Sequence, residues 1–102
     1  MTFEQIDNKV AEWAEGYGLI SQDSQFQQMC KVTEELGELN AAILKQKRAM
    51  ELDSFGDVMV TIAILARIRN VSLTQCFEAA YNEIKNREVK MVNGSLVKKE
   101  DQ

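Results

Sequence analysis

Proline and histidine are both absent from this chain of 102 residues. Without proline, helices must end on glycines, capping residues or changes of pattern. Without histidine, imidazole chemistry of every kind is excluded: no triad, no histidine metal ligand, no histidine general base. Cysteine is scarce. Cys30 and Cys76 are too few for a disulfide framework or a thiolate zinc site. Both fall in apolar helical stretches, which predicts buried free thiols and a reducing compartment. Cations are in deficit: 12 Lys and Arg against 16 Asp and Glu give a net charge of −4. Coating a nucleic-acid polymer needs the opposite balance, so no such partner is expected. No apolar run reaches the ~18 residues of a membrane span. The first ten residues carry Glu4 and Asp7 and no apolar h-region, so a soluble cytoplasmic protein is expected.

What is present reads as a single domain over residues 1–102, all-α, with enough apolar material (45%) for one core. Thr2 with Gln5 makes a capping-box pattern, and Phe3, Ile6, Val10, Trp13 and Ala14 follow at helical spacing. That helix should stop near Gly16-Tyr17-Gly18. Ser24 with Gln27 repeats the pattern and opens a long helix reaching about Arg48. A third helix is expected over 52–69, and Ser72 with Gln75 caps a fourth running to about Glu88. Beyond it, Asn93-Gly94 between short apolar runs signals a tight hairpin turn. Residues 98–102 are all polar, a loose tail.

On a helical wheel, Met29, Val32, Leu36, Leu39 and Ile43 form one seam of the long helix. Phe26, Cys30, Gly37, Ala41 and Leu44 form a second apolar strip. Two strips mean more than one neighbour. The third helix is apolar all round between Phe55 and Ile68 apart from Asp57, Thr61 and Arg67, the pattern of a central helix. These patterns predict a four-helix-bundle-like subunit that assembles as a homodimer or homotetramer. Trp13, at helical spacing with Val10 and Ala14, reads as core, with stacking on a nucleobase as the alternative.

The segment Lys31-Val32-Thr33-Glu34-Glu35-Leu36-Gly37-Glu38-Leu39 places Glu34, Glu35 and Glu38 on shared helix surface. Glu35 flanks the seam. Asp57 opens the apolar helix, with Asp53 four residues earlier on the same face. The plain alternative is a solvated acidic face, with Asp53 an N-cap or first-turn acid. Asp57 is harder to dismiss, because an isolated carboxylate in an apolar helix is costly to bury. If the two patches meet, carboxylates 5–6 Å apart repel by about 3 kcal/mol at an effective dielectric near 20. They must then take up protons or a cation. With no histidine and no spare thiol, that cation is a hard one, Mg²⁺ or Mn²⁺, which shares its coordination with phosphate oxygens.

Glu34-Glu35-x-x-Glu38, followed by an acidic motif ending at Asp57, resembles the MazG-like nucleoside triphosphate pyrophosphohydrolases. Members of that all-α superfamily carry Glu-Glu-x-x-Glu and then Glu-x-x-Asp. The resemblance runs from about Gln27 to Arg87, and the tail from Tyr81 through Asn82, Lys85, Arg87 and Lys90 to Asn93-Gly94 is similar to that of short bacterial and phage-type members. It departs at one position, where Ser54 stands in place of the Glu that opens Glu-x-x-Asp; Asp53 is the obvious replacement. The resemblance implies a Mg²⁺-dependent hydrolase that cuts a nucleoside triphosphate to the monophosphate and pyrophosphate. It implies that Glu35, Glu38 and Asp57 hold the metal with Asp53 assisting, and that Glu34 is a further ligand or the base that orients water. It assigns Asn82, Lys85 and Arg87 to the triphosphate. On the wheel Asn82, Lys85 and Asn86 lie opposite the apolar face of Leu73, Phe77, Ala80 and Ile84, so they reach a site only if the bundle or a second subunit brings that face over the carboxylates. Lys31 either contacts phosphate or offsets the acid cluster. The rival is a helical nucleotide-binding or protein-interaction module with little or no activity, which the Ser54 departure favours.

Overall fold

The computed structural model describes residues 1–99. The chain is all-α with a short antiparallel hairpin: α1 (Phe3–Gly16), a 3-10 turn (Gln22–Ser24), α2 (Gln25–Leu44), α3 (Arg48–Ile68), α4 (Leu73–Lys85), β1 (Val89–Val92) and β2 (Ser95–Lys98). No helix among the described residues is long and apolar enough to cross a membrane.

The helix starts follow local chemistry. The Thr2 hydroxyl accepts from the Gln5 amide (3.1 Å), and the Gln5 side chain accepts from the Thr2 amide (2.8 Å), closing the expected capping box. Ser72 caps α4 by accepting from the Gln75 amide at 3.2 Å. Ser24, expected to cap α2, makes no such bond. The chain instead enters through the 3-10 turn, where the Ser21 hydroxyl accepts from the Asp23 amide.

The helix ends share one device. In α1, α2 and α3 an amide bonds back five residues: Leu19 to the Ala14 carbonyl, Lys47 to Ala42 and Val71 to Ala66, at 2.9–3.0 Å. The residue just before that donor is left-handed in each case: Gly18 (φ 71), Gln46 (φ 57) and Asn70 (φ 57). This is the Schellman motif. Only one of the three uses glycine, which is why two boundaries differ from expectation. The second helix stops at Leu44 rather than near Arg48, and the third begins at Arg48 rather than at 52. Arg48 belongs to the first turn of α3, where it pairs with Glu51. Asp53 is therefore neither N-cap nor first-turn acid. The fourth helix ends at Lys85, short of Glu88. In the hairpin, Asn93 (φ 51) and Gly94 (φ 82) supply the two positive φ angles of a type I′ turn. Lys98 pairs with Val89 in it, so no loose tail begins there; residues 100–102 lie outside the described residues.

α3 is central as expected, packing along α2 on one side and α1 on the other. The core is small-sided. Ala14 is fully buried with Ile64 and Ile68, and Val10, Leu19, Ile20 and Val60 close around them. Ala11, Ala42, Ala63 and Ala66 are also buried, so the helices approach closely. Inside the α2–α3 pair, the Gln28 side-chain amide donates to the Thr61 carbonyl at 3.0 Å.

Several apolar expectations fail. The α2 seam divides: Leu39 is buried with Gln28 and Ala42, while Met29, Leu36 and Ile43 face solvent. Phe26 and Leu44 of the second strip are exposed. Cys30 and Cys76 are exposed, not buried. Trp13 is 55% exposed, its ring 5.3 Å from that of Tyr17, so it is not core. Spacing identifies apolar faces but not which of them the protomer itself covers.

The left-handed Gln46 generates a test. Gln46→Gly should raise stability by roughly 0.5–1 kcal/mol by relieving the positive φ, and Gln46→Val should lower it by more than that, since a β-branched residue is a genuine outlier there. Urea denaturation of the two variants reads both signs.

Candidate functional site

The Gln28–Thr61 bond fixes the antiparallel register of α2 and α3. Two turns further along α2 comes Glu35, and two turns back along α3 comes Ser54, so these positions lie level across the pair. Ser54 is 6% exposed. Glu35 is half-buried beside the seam, as its spacing predicted, whereas Glu34 and Glu38 point to solvent on its flank.

Glu35 is electrostatically the unusual group of the chain. Its Oε2 is shielded from water and has no hydrogen-bond donor. Its carboxyl pKa is raised, first by desolvation, then by Glu38 through its charge and its capacity to share a proton, then by the charges of Asp57 and Glu34. Asp57 therefore acts on Glu35 across the helix pair. The charges of Glu38, Asp57 and Glu34 thus all act on Glu35 in the same direction.

Two features of this arrangement differ from expectation. Asp57 is exposed rather than buried, because the apolar helix bearing it is only partly covered: Phe55 and Met59 on either side of it are exposed as well. The residue turned inward is Ser54, whose hydroxyl carries no charge. Asp53, on the same face as Asp57, is also exposed. Among the described residues, no three Asp, Glu or Cys side chains close tightly enough to enclose a metal ion. What the residues offer a cation is an orphaned carboxylate oxygen on Glu35, its neighbour Glu38, and Asp57 opposite.

The cationic candidates are elsewhere. Lys31 is exposed one turn before Glu35. Asn82, Lys85 and Arg87 lie on or just after α4, which packs on α1 rather than on the α2–α3 pair. Within one protomer they are engaged locally: Asn82 offers its carbonyl to Asn86 (3.2 Å), the Lys85 ammonium stands 5.7 Å from the centre of the Tyr81 ring, and Arg87 pairs with Glu83. The protomer does not bring them to the carboxylates.

Sequence reasoning missed a groove of about 340 Å³ between α1 and α3, lined by Phe3, Ile6, Val10, Gly56, Met59 and Val60. Gly56 at its edge directly precedes Asp57. The periodic apolar residues of α1 signalled such a face, but nothing in their spacing says that it is left open.

The sign of the Glu35 shift sets a pH dependence. A carboxyl whose folded pKa lies above its unfolded value favours the fold while protonated, and that contribution is lost as pH rises through the folded pKa. Glu35→Gln, which stays neutral, should therefore melt at a higher temperature than wild type at pH 7.5 in chelator. The difference should shrink as pH falls below the ordinary carboxylate range; thermal melts across pH 3–8 measure it.

No protein-family model matches this sequence, and no solved structure matches it. The chain is 32% identical over 68 residues to an uncharacterized 18.2 kDa protein of the rep–hol intergenic region of Haemophilus phage HP1. The match takes in 67% of this chain and 42% of the phage protein, so the chain spans about two-fifths of the length of the curated relative it matches.

Proposed function

We propose that the protein is a divalent-cation-dependent nucleoside triphosphate pyrophosphohydrolase of the MazG-like type, acting as a cytoplasmic homo-oligomer. The observation that carries this reading is the unpartnered, water-shielded Glu35 Oε2 crowded by Glu38, Asp57 and Glu34. At neutral pH such a carboxylate needs either a proton or a counterion. Glu35, Glu38 and Asp57 would hold Mg²⁺, or Mn²⁺ in its place, with Asp53 assisting from the exposed end of the same α3 face. The ion, when bound, neutralises phosphate oxygens and lowers the pKa of a water.

The chain's own residues supply the rest. In the overall reaction a water oxygen bonds to the α-phosphorus, the α–β anhydride breaks, and pyrophosphate leaves. Glu34, exposed beside the cluster, would orient that water and take its proton. Lys31 offsets the local negative charge and meets a phosphate.

A second reading, a helical module that binds nucleotide or protein without turnover, is favoured by the uncharged Ser54 at the inward position and by the open arrangement of the acids. One panel separates the two. Purified protein incubated with each NTP and dNTP should release pyrophosphate with Mg²⁺ and not in chelator. Asp57→Asn and Glu38→Gln should each lower the rate by at least about 100-fold, while Glu51→Gln, which removes the partner of Arg48, should retain it. Pyrophosphate release from no nucleotide would overturn the enzyme reading. The same ions should also raise the melting temperature of wild type but not that of Glu35→Gln.

A further inference from the structure

Residues 72–99 form an arm that the rest of the protomer leaves uncovered. α4 has no buried residue. Its Phe77, Tyr81 and Ile84, spaced four and three apart, share one face at 62, 57 and 57% exposure. Its main contact is with α1, where the Phe77 ring meets Phe3 edge-on at 5.8 Å. The hairpin continues the pattern. Its register places Val89, Met91 and Leu96 on a common face, and all three are exposed. A one-faced helix gains most of its stability by burying that face, and a lone two-stranded hairpin is marginal.

Two quantities indicate what covers the arm. The protomer exposes 7830 Å², where a compact 11.6 kDa monomer exposes about 5,800 Å². The excess, about 2,000 Å² per chain, is what one partner of an obligate homodimer buries. Its radius of gyration, 16.5 Å, likewise exceeds the roughly 13 Å of a compact chain of this length. The second quantity is charge. Residues 72–99 carry five Lys and Arg against three Glu, a net of +2, whereas residues 1–71 carry seven against eleven, a net of −4. The arm's cations gather at the end of α4 and on the hairpin, while six of the body's eleven acids lie on α2 and α3, with Glu34, Glu35 and Glu38 within five residues of one another.

We propose that this arm docks on a second copy of the chain, seating the Phe77–Tyr81–Ile84 face there and carrying Lys85 and Lys98, the latter on the hairpin face of Val89, Met91 and Leu96, to the acidic flank of the other copy's α2–α3 pair. The inference rests on the homo-oligomer reading above and adds the surface that makes it. Lys85, which stands at the margin of that face over Tyr81, is a positioning residue in this assembly, whatever the fate of the nucleotide.

Sedimentation of the full chain over a concentration series tests this independently of hydrolysis. Wild type should self-associate. The double change Tyr81→Asp with Ile84→Asp touches residues the protomer leaves exposed, so circular dichroism should show the helices retained while the dissociation constant rises about 30-fold or more. Leu96→Asp, outside every helix, should weaken association in the same sense. Lys85→Glu with Lys98→Glu should weaken it more at low salt than at high salt, and adding Glu34→Lys with Asp53→Lys should restore it. A monomeric wild type would overturn the arm and the oligomer together. A wild type that associates, with the constant unmoved by both the α4 and the Leu96 changes, would overturn the arm alone.

Discussion

Everything at the acidic site depends on how α2 and α3 are held side by side. The tight left-handed turn at Gln46 sets them antiparallel, and the buried bond from Gln28 to the Thr61 carbonyl locks their register. The sliding of one helix by a single residue would rotate every facing side chain by about 100°. It would take Glu35 away from Asp57 and leave a buried amide without its acceptor, at a cost of about 1–3 kcal/mol. The pairing is therefore specified by a polar contact, while small alanines and a serine allow the backbones to come close enough for a carboxylate on the rim to lose part of its water.

That partial loss matters more than full burial would. A carboxylate entirely inside would be neutral and inert, and one entirely outside would be an ordinary surface acid. Glu35 sits between these limits, with one oxygen shielded and three like charges nearby. Its hold on a proton is thus tightened by its surroundings. The same tension explains why such a group is kept at the mouth of a helix pair and not in its middle.

How far the sequence was legible follows the range of the forces involved. The capping box at Thr2, the Ser72 cap and the Asn93-Gly94 turn are satisfied within three or four residues, and all three were readable. The end of α2 was not, because Gln46 takes a conformation usually marked by glycine, and its reason is the hairpin it must close. Glu35 was placed correctly beside the seam by spacing alone. Asp57 was misjudged because an all-round apolar helix was equated with a covered one. Trp13 and the second α2 strip failed for the same reason: periodicity shows that a face is apolar, not whose surface lies against it. The cations of α4 were recognisable in the sequence, and the protomer alone gives them no route to the acids.

The two exposed thiols have a consequence of their own. Cys30 lies on α2 and Cys76 on α4, so every copy offers two separate points of attachment to an oxidant. Chains with two such points do not stop at pairs; they concatenate through disulfides between molecules. An aged preparation and a freshly reduced one would then differ in mass without any change in fold, and the apparent size of the particle would record its redox history as well as its assembly.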